Sequence, residues 1–565
     1  MVLISAIVLA LVWHPYEEWI EQPDPVASPF ARRGGTIRLN GGQPPKSFNA
    51  YVDNNSYSAM VFDLMYGKLL GMDSATSELE PALARKWATS EDGREFTFVL
   101  DERAKWSDGT PVTAADVKWT FDAVMDAKSD TGVWKSMLGF FDSPEIIDSR
   151  TIRFRKRGES SKDWRDILNC SSFWILPKHV FEKCDFNRMN FVGAVTGGAY
   201  EIVRAEPQVE TELKRHGRWW CQDLPQYRGT MNFDRIVVRY FADNENAYEA
   251  LRSKKIDVYP VYTARIYAKE TRGESFKHNW LLKRRVRNRA PIGFQGFAMN
   301  MRRAPFNDVR VRKAMAALVD RVTMNRTMMG NAYFLLNSYY TDLYDAAHPC
   351  TNEMHRYDPE KARRLLEEAG MGKGFSFTFL SRGTTEDKFL ALFDQELRKL
   401  NITMHIVRKD FASWMRDMDE FAYDMTWAAW GAGTVKYPEL SWSGVEADRK
   451  GSNNITGFKS VEVDAIIAAE KSMDSAADRL NAYRKIDALI AAQVPYVLLW
   501  QTDSTRLVYW NKFGMPDSVL HPFGREESVL TYWWYDEDRA DELRQSISGN
   551  GFLPMISEMV NGGDK

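Results

Sequence analysis

Short strand-like runs alternate with amphipathic helices along this chain, and this alternation constrains the fold more than any other feature. In Arg94–Leu100 the residues Phe96, Phe98 and Leu100 recur at every second position, which is typical of a half-buried strand. Asp92–Gly93 precedes the run and is a turn signal. The pattern predicts a strand over Arg94–Leu100 that begins directly after a tight turn.

Helix signals follow the strand signals. Thr113–Asp116 has the form of a capping box, and Val117, Phe121 and Val124 then fall at helical spacing. Alternation of this kind favours an α/β or α+β fold. Further elements predicted in this way are a helix capped by Asn307, a helix from Asp358–Pro359 to Gly370, and buried strands at Ile236–Tyr240 and Tyr496–Trp500.

Composition narrows the class of protein. A length of 565 residues suggests about three to four domains. Hydrophobic residues make up 44% and charged residues 27%, as in an ordinary soluble globular protein. The formal net charge is −2, so the basic excess of a nucleic-acid binder is missing and we expect no such partner. The 31 Phe, 23 Tyr and 19 Trp suit a large core or a recognition surface.

The N-terminus is apolar. Met1–Trp13 has the length of a signal-peptide core and is shorter than the roughly 20 residues of a membrane span. No Lys or Arg precedes it. Three interpretations stay open: a signal that starts upstream, an uncleaved anchor, or a helix packed on the domain. Arg32–Arg33 and Gly34–Gly35 are expected to end this leader.

Four cysteines are present, at positions 170, 184, 221 and 350. Two disulfides in an exported protein would allow three connectivities. Cys170 and Cys184 are close in sequence, so a bridge between them is the first choice, with four unpaired thiols as the alternative. No C-x-x-C motif indicates a redox or zinc site.

Catalytic motifs are missing from the sequence. It contains no H-E-x-x-H, no G-x-S-x-G and no phosphate-binding G-x-x-x-x-G-K-[ST]. Asp345, His348 and Cys350 lie close together but are not expected to bind a metal. A glycosidase carboxylate pair is defined by its spacing of about 5–10 Å, which a sequence does not give. A hydrolase therefore remains as a lesser alternative, and we expect no enzyme, no cofactor and no metal.

Several segments in a fixed order resemble a known family. Pro81–Met125 (PALARKWATSEDGREFTFVLDERAKWSDGTPVTAADVKWTFDAVM) is similar to the signature region of the family 5 extracellular solute-binding proteins. Thr196–Tyr200, Tyr248–Val258 and Phe297–Asp320 (FAMNMRRAPFNDVRVRKAMAALVD) resemble later segments of that family. The end, Thr531–Asp536, looks most like the YejA-type branch. The resemblance extends over nearly the whole chain.

The resemblance implies an α/β fold of the two-lobed periplasmic-binding-protein type (type II, the large peptide-binding class) with an extra inserted subdomain. Ligand would bind between lobes that close by hinge motion. The expected division is a leader, signal or membrane anchor over 1–33, a discontinuous lobe I over 34–70, 195–289 and 496–545, an inserted subdomain over 71–194, lobe II over 290–495, and a flexible tail over 546–565.

The same resemblance implies the function. The protein is expected to capture oligopeptides or peptide-like compounds and deliver them to the permease subunits of an ABC importer. It would act as a monomer, periplasmic or anchored through its N-terminus on the extracytoplasmic side. Relatives in the family also bind oligosaccharides, nickel complexes or haem, and these remain alternative ligands.

The resemblance also selects candidate ligand-binding residues. In the family, the segment that corresponds to Phe421–Trp442 usually has a Trp-x-x-Asp-Tyr pattern, whose Asp pairs with the ligand's α-ammonium. Here Trp427-Ala-Ala-Trp430 is followed by Gly431, and no Asp stands in this position. This departure implies a blocked, modified or longer ligand, or an anchor elsewhere. The candidates are Asn40, Gln43, Tyr57, Gln295, Phe297, Trp427, Trp430, Gly431 and Asn454.

Overall fold

A computed structural model describes residues 11–14, 22–42, 44–53, 56–158, 162–241, 243–384 and 386–562. The described strands are β1 Leu11–His14, β2 Thr36–Asn40, β3 Leu70–Met72, β4 Leu79–Pro81, β5 Ala84–Ser90, β6 Glu95–Leu100, β7 Glu145–Ile146, β8 Thr151–Arg155, β9 Tyr200–Glu206, β10 Glu210–Arg215, β11 Arg235–Arg239, β12 Val258–Pro260, β13 Leu281–Arg287, β14 Phe294–Met299, β15 Phe334–Leu335, β16 Ser376–Ser381, β17 Thr403–Arg408, β18 Met425–Trp430, β19 Tyr496–Leu498, β20 Trp500–Gln501, β21 Thr505–Trp510, β22 Phe513–Gly514, β23 Trp534–Tyr535 and β24 Met559–Asn561.

The described α-helices are α1 Ser56–Met65, α2 Ala114–Met125, α3 Gly132–Leu138, α4 Asp166–Ser171, α5 Lys178–Phe181, α6 Asn244–Arg252, α7 Glu274–Lys277, α8 Val309–Leu318, α9 Arg321–Met329, α10 Pro359–Glu368, α11 Asp387–Arg398, α12 Phe411–Asp419, α13 Pro438–Trp442, α14 Val461–Glu470, α15 Ala476–Gln493, α16 Ser528–Tyr532 and α17 Glu537–Gly549. Short 3₁₀ turns lie at Phe186–Arg188, Pro225–Tyr227 and Thr341–Leu343, and a π-helical turn at Ile266–Glu270.

The chain divides into two compact units. Unit 1 comprises the described residues of Met1–Tyr262, Lys269–Asn288 and Ser504–Lys565, and unit 2 comprises those of Thr263–Ala268 and Arg289–Asp503. Both units mix helices with sheets, which confirms the predicted α/β class. The separate standing of residues 71–194 as an inserted subdomain stays a prediction.

Unit 1 contains two large sheets. A five-stranded antiparallel sheet has the order β1-β5-β6-β8-β7, and an eight-stranded mixed sheet has the order β24-β13-β21-β12-β2-β11-β10-β9. The predicted strand is β6, and Gly93 makes its turn with a positive φ of 68°. The Asp116 carboxylate accepts the Thr113 N–H at 2.8 Å, so the predicted capping box starts α2.

Unit 2 has one five-stranded sheet with helices on both faces, in the order β17-β16-β18-β14-β19. Side chains alternate along β14, so Phe297 and Met299 enter one apolar core while Phe294 and Ala298 enter the other. Helices α8, α10 and α11 cover the first face, and α12, α14 and α15 cover the second. This three-layer arrangement buries the central strands on both sides.

The predicted helix at residues 311–319 is α8, with one correction. Its N-cap is Asp308 and not Asn307, because the Asp308 carboxylate accepts the N–H of Arg310 at 2.8 Å. The helix that begins at Asp358–Pro359 is confirmed as α10, where Asp358 accepts the N–H of Lys361 at 2.9 Å. Asn307 and Asp308 are adjacent polar residues, so the sequence alone does not show which of the two is the N-cap.

Both ends of the chain contribute a described strand to a sheet of unit 1. Residues 11–14 form β1, which pairs antiparallel with β5, while residues 1–10 and 15–21 lie outside the described part. At the other end, the predicted flexible tail contains the last turns of α17 and strand β24, which pairs parallel with β13. A free sheet edge at β13 supplies the hydrogen-bond partners that order this segment. Among the described helices, none has the length and apolar character to cross a membrane.

Candidate functional site

The carboxyl ends of the unit 2 strands meet at one edge of the sheet. Strands β16, β17 and β18 run parallel, and β19 runs the same way because both it and β18 are antiparallel to β14. Strand β14 therefore begins at this edge, with Phe294 opposite Trp430. Ligands of open α/β sheets bind beyond the carboxyl ends of strands. We call this region the unit 2 edge.

Three of the candidate side chains lie near the unit 2 edge on one face. The indole N–H of Trp427 donates to Gln295 Oε1 at 3.1 Å, and Gln295 Nε2 donates to the carbonyl of Trp500 at 3.0 Å. The Trp427 ring packs edge-on against Phe297 and Trp500, with centroids 5.5 and 6.0 Å away. These contacts fix the half-buried Trp427 ring in one orientation.

Trp430 lies on the opposite face of the same strand. Its indole N–H donates to the hydroxyl of Tyr496 at 3.0 Å, and burial raises the pKa of that hydroxyl well above its usual value. The side chain packs on the second core, which Trp442 and Tyr339 also line. Trp427 and Trp430 therefore do not form one aromatic surface, although both are candidate ligand-binding residues from the same segment.

The segment that follows β18, residues 431–435, has backbone N–H groups without hydrogen-bond partners. Within the described part of the chain, no N–H group of these five residues donates a hydrogen bond. Gly431, Gly433 and Thr434 are exposed, and a Cβ built on Gly431 would meet no atom within 4 Å. An exposed run of unpaired backbone groups next to a strand is able to pair with an extended peptide.

Two contacts hold this segment in place. The buried ammonium of Lys436 donates to the carbonyl of Gly433 at 2.8 Å and pairs with Asp342. At the start of β14, Gly293 lies so close to the segment that a Cβ would stand 2.0 Å from the carbonyl oxygen of Trp430. The free backbone groups are thus carried by a fixed support, which lowers the entropic cost of binding.

In unit 1, two further candidates lie at the carboxyl edge of the eight-stranded sheet. Asn40 ends β2, and its Oδ1 accepts the N–H of Gly42 at 2.9 Å. Tyr57 begins α1 and packs edge-on against Tyr240 just beyond β11, with centroids 5.5 Å apart. Burial raises the pKa of Tyr57 well above its usual value. Tyr57 is only 5% exposed, so its ring is part of the wall behind the edge.

Other candidates have structural surroundings. Phe297 is fully buried in the first core of unit 2. Asn454 is 1% exposed and spends its amide on the carbonyls of Ser443 and Phe458 and on the N–H of Phe458. Neither side chain has a free surface in this structure, and a role of Phe297 or Asn454 in ligand binding stays a prediction from the sequence. Gln43 lies outside the described residues.

The predicted Cys170–Cys184 disulfide is absent, and all four cysteines are free thiols. The Cys170 thiol is buried at the end of α4 and lies 3.5 Å from the carbonyl of Ile167. Cys184 is exposed and lies 3.9 Å from the carbonyl of Val180. Short sequence separation suggested the bridge, but the two thiols sit in different environments and do not bond.

Sequence reasoning missed two parts of the unit 2 edge. The sequence predicts Trp500 only as part of a buried strand, although its carbonyl and ring both contact the Gln295–Trp427 pair. The free N–H groups of residues 431–435 were also missed, because only the strand pairing reveals which backbone groups remain unused. The available signal was Gly431 and Gly433 directly after an apolar strand.

The model of the bacterial extracellular solute-binding proteins, family 5, matches residues 78–451, well over half of the chain. The chain belongs to this family. YejA of Escherichia coli (strain K12), an uncharacterised protein, is 24% identical over 569 residues, which cover 91% of this chain and 91% of YejA. A putative binding protein of Brucella suis biovar 1 (strain 1330) is 25% identical over 572 residues, 90% of this chain and 91% of the relative. The predicted resemblance to the family and to YejA is confirmed.

A solved structure supports the fold of this family 5 protein. The ABC transporter-associated periplasmic binding protein DppA from Helicobacter pylori, in complex with the peptide STSA, aligns with a TM-score of 0.70 at 20% identity. The alignment covers 89% of this chain and 99% of DppA. The predicted two-lobed periplasmic-binding-protein fold is confirmed at this level.

Proposed function

We propose that this family 5 protein captures oligopeptides or peptide-like compounds outside the cytoplasm and delivers them to an ABC importer. Family membership supports solute binding, and DppA, which has the same fold, holds a peptide. The observation that carries the proposal is the run of N–H groups in residues 431–435, none of which donates a hydrogen bond within the described part of the chain. An extended peptide has unpaired N–H and C=O groups of its own, and pairing with such a segment satisfies both partners.

The residues around this segment suit a neutral peptide backbone. The half-exposed Trp427 ring, held in place by the Gln295 amide and the Trp500 ring, supplies an aromatic wall, which is usual for a ligand site. We propose Trp427, Trp430 and Gly431 as lining residues in unit 2, where Gln295 holds the wall, and Asn40 as a lining residue in unit 1, where Tyr57 holds the wall. Gln43 stays a proposal from the sequence.

We also propose that the protein catalyses no reaction on its ligand and releases it chemically unchanged. The protein acts as a monomer, and it is periplasmic or held on the extracytoplasmic side through its N-terminus. Its partners are the solute and the permease subunits of the importer.

The first test is native mass spectrometry of the purified protein. An excess of native over denatured mass, whose fragments are amino-acid residues, is the expected result. If the bound compound instead loses hexose units on fragmentation, the ligand class is sugars and not peptides. A bound compound that is hydrolysed during incubation would contradict capture without turnover.

The second test addresses the backbone segment. Thr434→Pro removes one N–H from the segment, while the matched control Thr434→Ala keeps it. We expect peptide affinity to fall about tenfold or more in T434P, since one lost hydrogen bond in a desolvated site costs about 1–3 kcal/mol. T434A should bind like the wild type. Equal affinity of both variants, at an unchanged melting temperature, would overturn the pairing.

A further inference from the structure

Unit 1 contains a large pocket that lies apart from all residues proposed above. Its volume is about 840 Å³, within the size range of small-molecule sites. The pocket lies between β13, β21, the start of α17 and the C-terminal segment before β24. None of its lining residues takes part in the peptide binding proposed above.

The floor of the pocket is apolar and aromatic and contains one cation. Tyr509 and Trp534 are 1% and 7% exposed, and Met515 lies beside them. The Tyr509 hydroxyl accepts the Nε–H of Arg284 at 3.2 Å and lies 3.8 Å from the sulfur of Met515. A Cβ on Gly514 would stand 2.0 Å from the Trp534 ring, so this glycine gives the ring its place.

Arg284 is the unusual member of this floor. It is half-buried, and its guanidinium bonds only to neutral oxygens, the Tyr509 hydroxyl and the carbonyl of Ser557. Within the described residues, no carboxylate lies at salt-bridge distance from it. Burial raises the pKa of Tyr509, and Arg284 and Arg539 oppose that rise, so both positive charges act at this hydroxyl. A half-buried guanidinium with neutral partners gains from a carboxylate ligand.

The rim of the pocket has the opposite charge. Asp517 and Glu542 are exposed and form no ion pair within the described part of the chain. Asp538 lies 3.8 Å from Arg32, and Asp536 lies 3.4 Å from Arg539, so these two acids are partly balanced. A positive floor below a negative rim matches a molecule whose two ends carry opposite charges.

The C-terminal segment supplies the remaining wall. Leu553, Pro554 and Ile556 line the pocket, and β24 pairs with β13 to hold them there. The N–H of Leu553 donates to the carbonyl of His278 at 2.9 Å. The pocket is therefore fixed by hydrogen bonds on this side as well.

We propose that this pocket binds a short zwitterionic solute, a free amino acid or a short peptide, with its carboxylate on Arg284 and its ammonium group at Asp517 and Glu542. The apolar body of the solute lies against Trp534 and Met515. The proposal is independent of the peptide capture proposed for the unit 2 edge, because the two sites share no residue.

The test uses the full chain with ¹³C-methyl-labelled methionine and ¹⁵N-labelled tryptophan, with the Met515 signal assigned through Met515→Leu. Met515 reports this pocket, and the ¹⁵N-indole signal of Trp430, at the carboxyl end of β18, reports the unit 2 edge, so binding at the two places is read separately. The probes are the dipeptide Ala-Leu, its C-terminal amide and its N-acetyl form. We expect Ala-Leu to shift the Met515 signal, and the amide to bind about tenfold more weakly because it lacks the carboxylate for Arg284.

Two variants locate the charges. Arg284→Gln should weaken Ala-Leu at Met515 about tenfold, whereas Lys283→Gln, a neighbour on the same strand, should not change it. Glu542→Gln lies on the exposed rim, keeps the fold, and should weaken Ala-Leu but not its N-acetyl form. An unmoved Met515 signal at millimolar Ala-Leu, or equal affinities in R284Q and the wild type, would overturn the proposal. A shift of the Trp430 indole signal alone would do so too while leaving the peptide capture intact.

Discussion

The indole N–H of Trp427 donates to the side-chain oxygen of Gln295 at 3.1 Å, across the β14–β18 pair at the edge of the unit 2 sheet. The same glutamine donates to the carbonyl of Trp500 at 3.0 Å. Gln295 thus joins three strands, and its amide is spent on the wall of the site. The Trp427 ring is the part of this arrangement that remains half exposed.

Removing this glutamine should loosen the wall. Gln295→Leu leaves the Trp427 N–H without its acceptor, which should lower the free energy of unfolding by about 1–3 kcal/mol. Chemical denaturation measures this loss. Gln395→Leu, on the exposed face of α11, is the control and should change stability little. A stability in Q295L equal to that of Q395L would contradict the linking role.

Two glycines near the unit 2 edge should behave oppositely. Gly293→Ala places a methyl group 2.0 Å from the Trp430 carbonyl oxygen and should cost about 1–3 kcal/mol of stability or more. Gly431→Ala adds its methyl group in open space and should stay within about 0.5 kcal/mol of the wild type. Thermal unfolding of both variants is the measurement. A clear destabilisation in G431A would show that the segment packs against other residues.

The four thiols should react with a thiol reagent at different rates. Cys184 is exposed and should react with a thiol reagent within the native protein, whereas burial raises the pKa of Cys170 and Cys221 and should protect both. Cys184→Ser should abolish the fast phase. In denaturant without reductant, all four thiols should react. If only two thiols react, the other two cysteines form a disulfide and the prediction is wrong.

Stability should depend on pH through Glu80. Burial raises its pKa to about 8, and the nearby carboxylates of Asp73 and Asp24 add to the rise. The folded state therefore keeps a proton that the unfolded state releases near pH 4.5, so the free energy of unfolding falls as the pH rises from about 4.5 to 8.

Glu80→Gln removes this dependence and should be the more stable protein at pH 8, by on the order of 1–2 kcal/mol after solvent screening. Denaturation curves at pH 5 and pH 8 give the comparison. Glu91→Gln, an exposed neighbour, is the control and should keep the slope of the wild type. Parallel pH profiles for E80Q and the wild type would rule out Glu80 as the cause.

The C-terminal strand should contribute to the stability of unit 1. A chain that ends at Asn550 loses the β24–β13 pairing and the stack of Phe552 on His278, whose ring centroids are 4.1 Å apart. The stack alone contributes about 0.5–1.5 kcal/mol. A lower melting temperature is expected relative to a chain that ends at Gly562. Identical melting temperatures would mean that the segment adds nothing to the fold.

The sequence by itself determined the elements and the family. The alternation in Glu95–Leu100, the capping box at Thr113 and the start of α10 at Pro359 are local signals, because hydrogen bonds and side-chain periods within about ten residues produce them. The family segments were recognisable for the same reason, since each is a short ordered run. The resemblance to the family also selected Asn40, Trp427 and Gly431 as candidate ligand-binding residues.

The tertiary structure alone decided which of these residues have a free surface. Gln295 and Phe297 share one face of β14, yet packing from α11 buries Phe297 while Gln295 reaches the end of the sheet. Asn454 closes its own loop, Cys170 and Cys184 remain apart, and β24 completes a sheet whose other strands lie far away in the sequence. Strand pairing between distant segments sets these neighbours, and it also determines which backbone groups, such as those of residues 431–435, are left for a ligand.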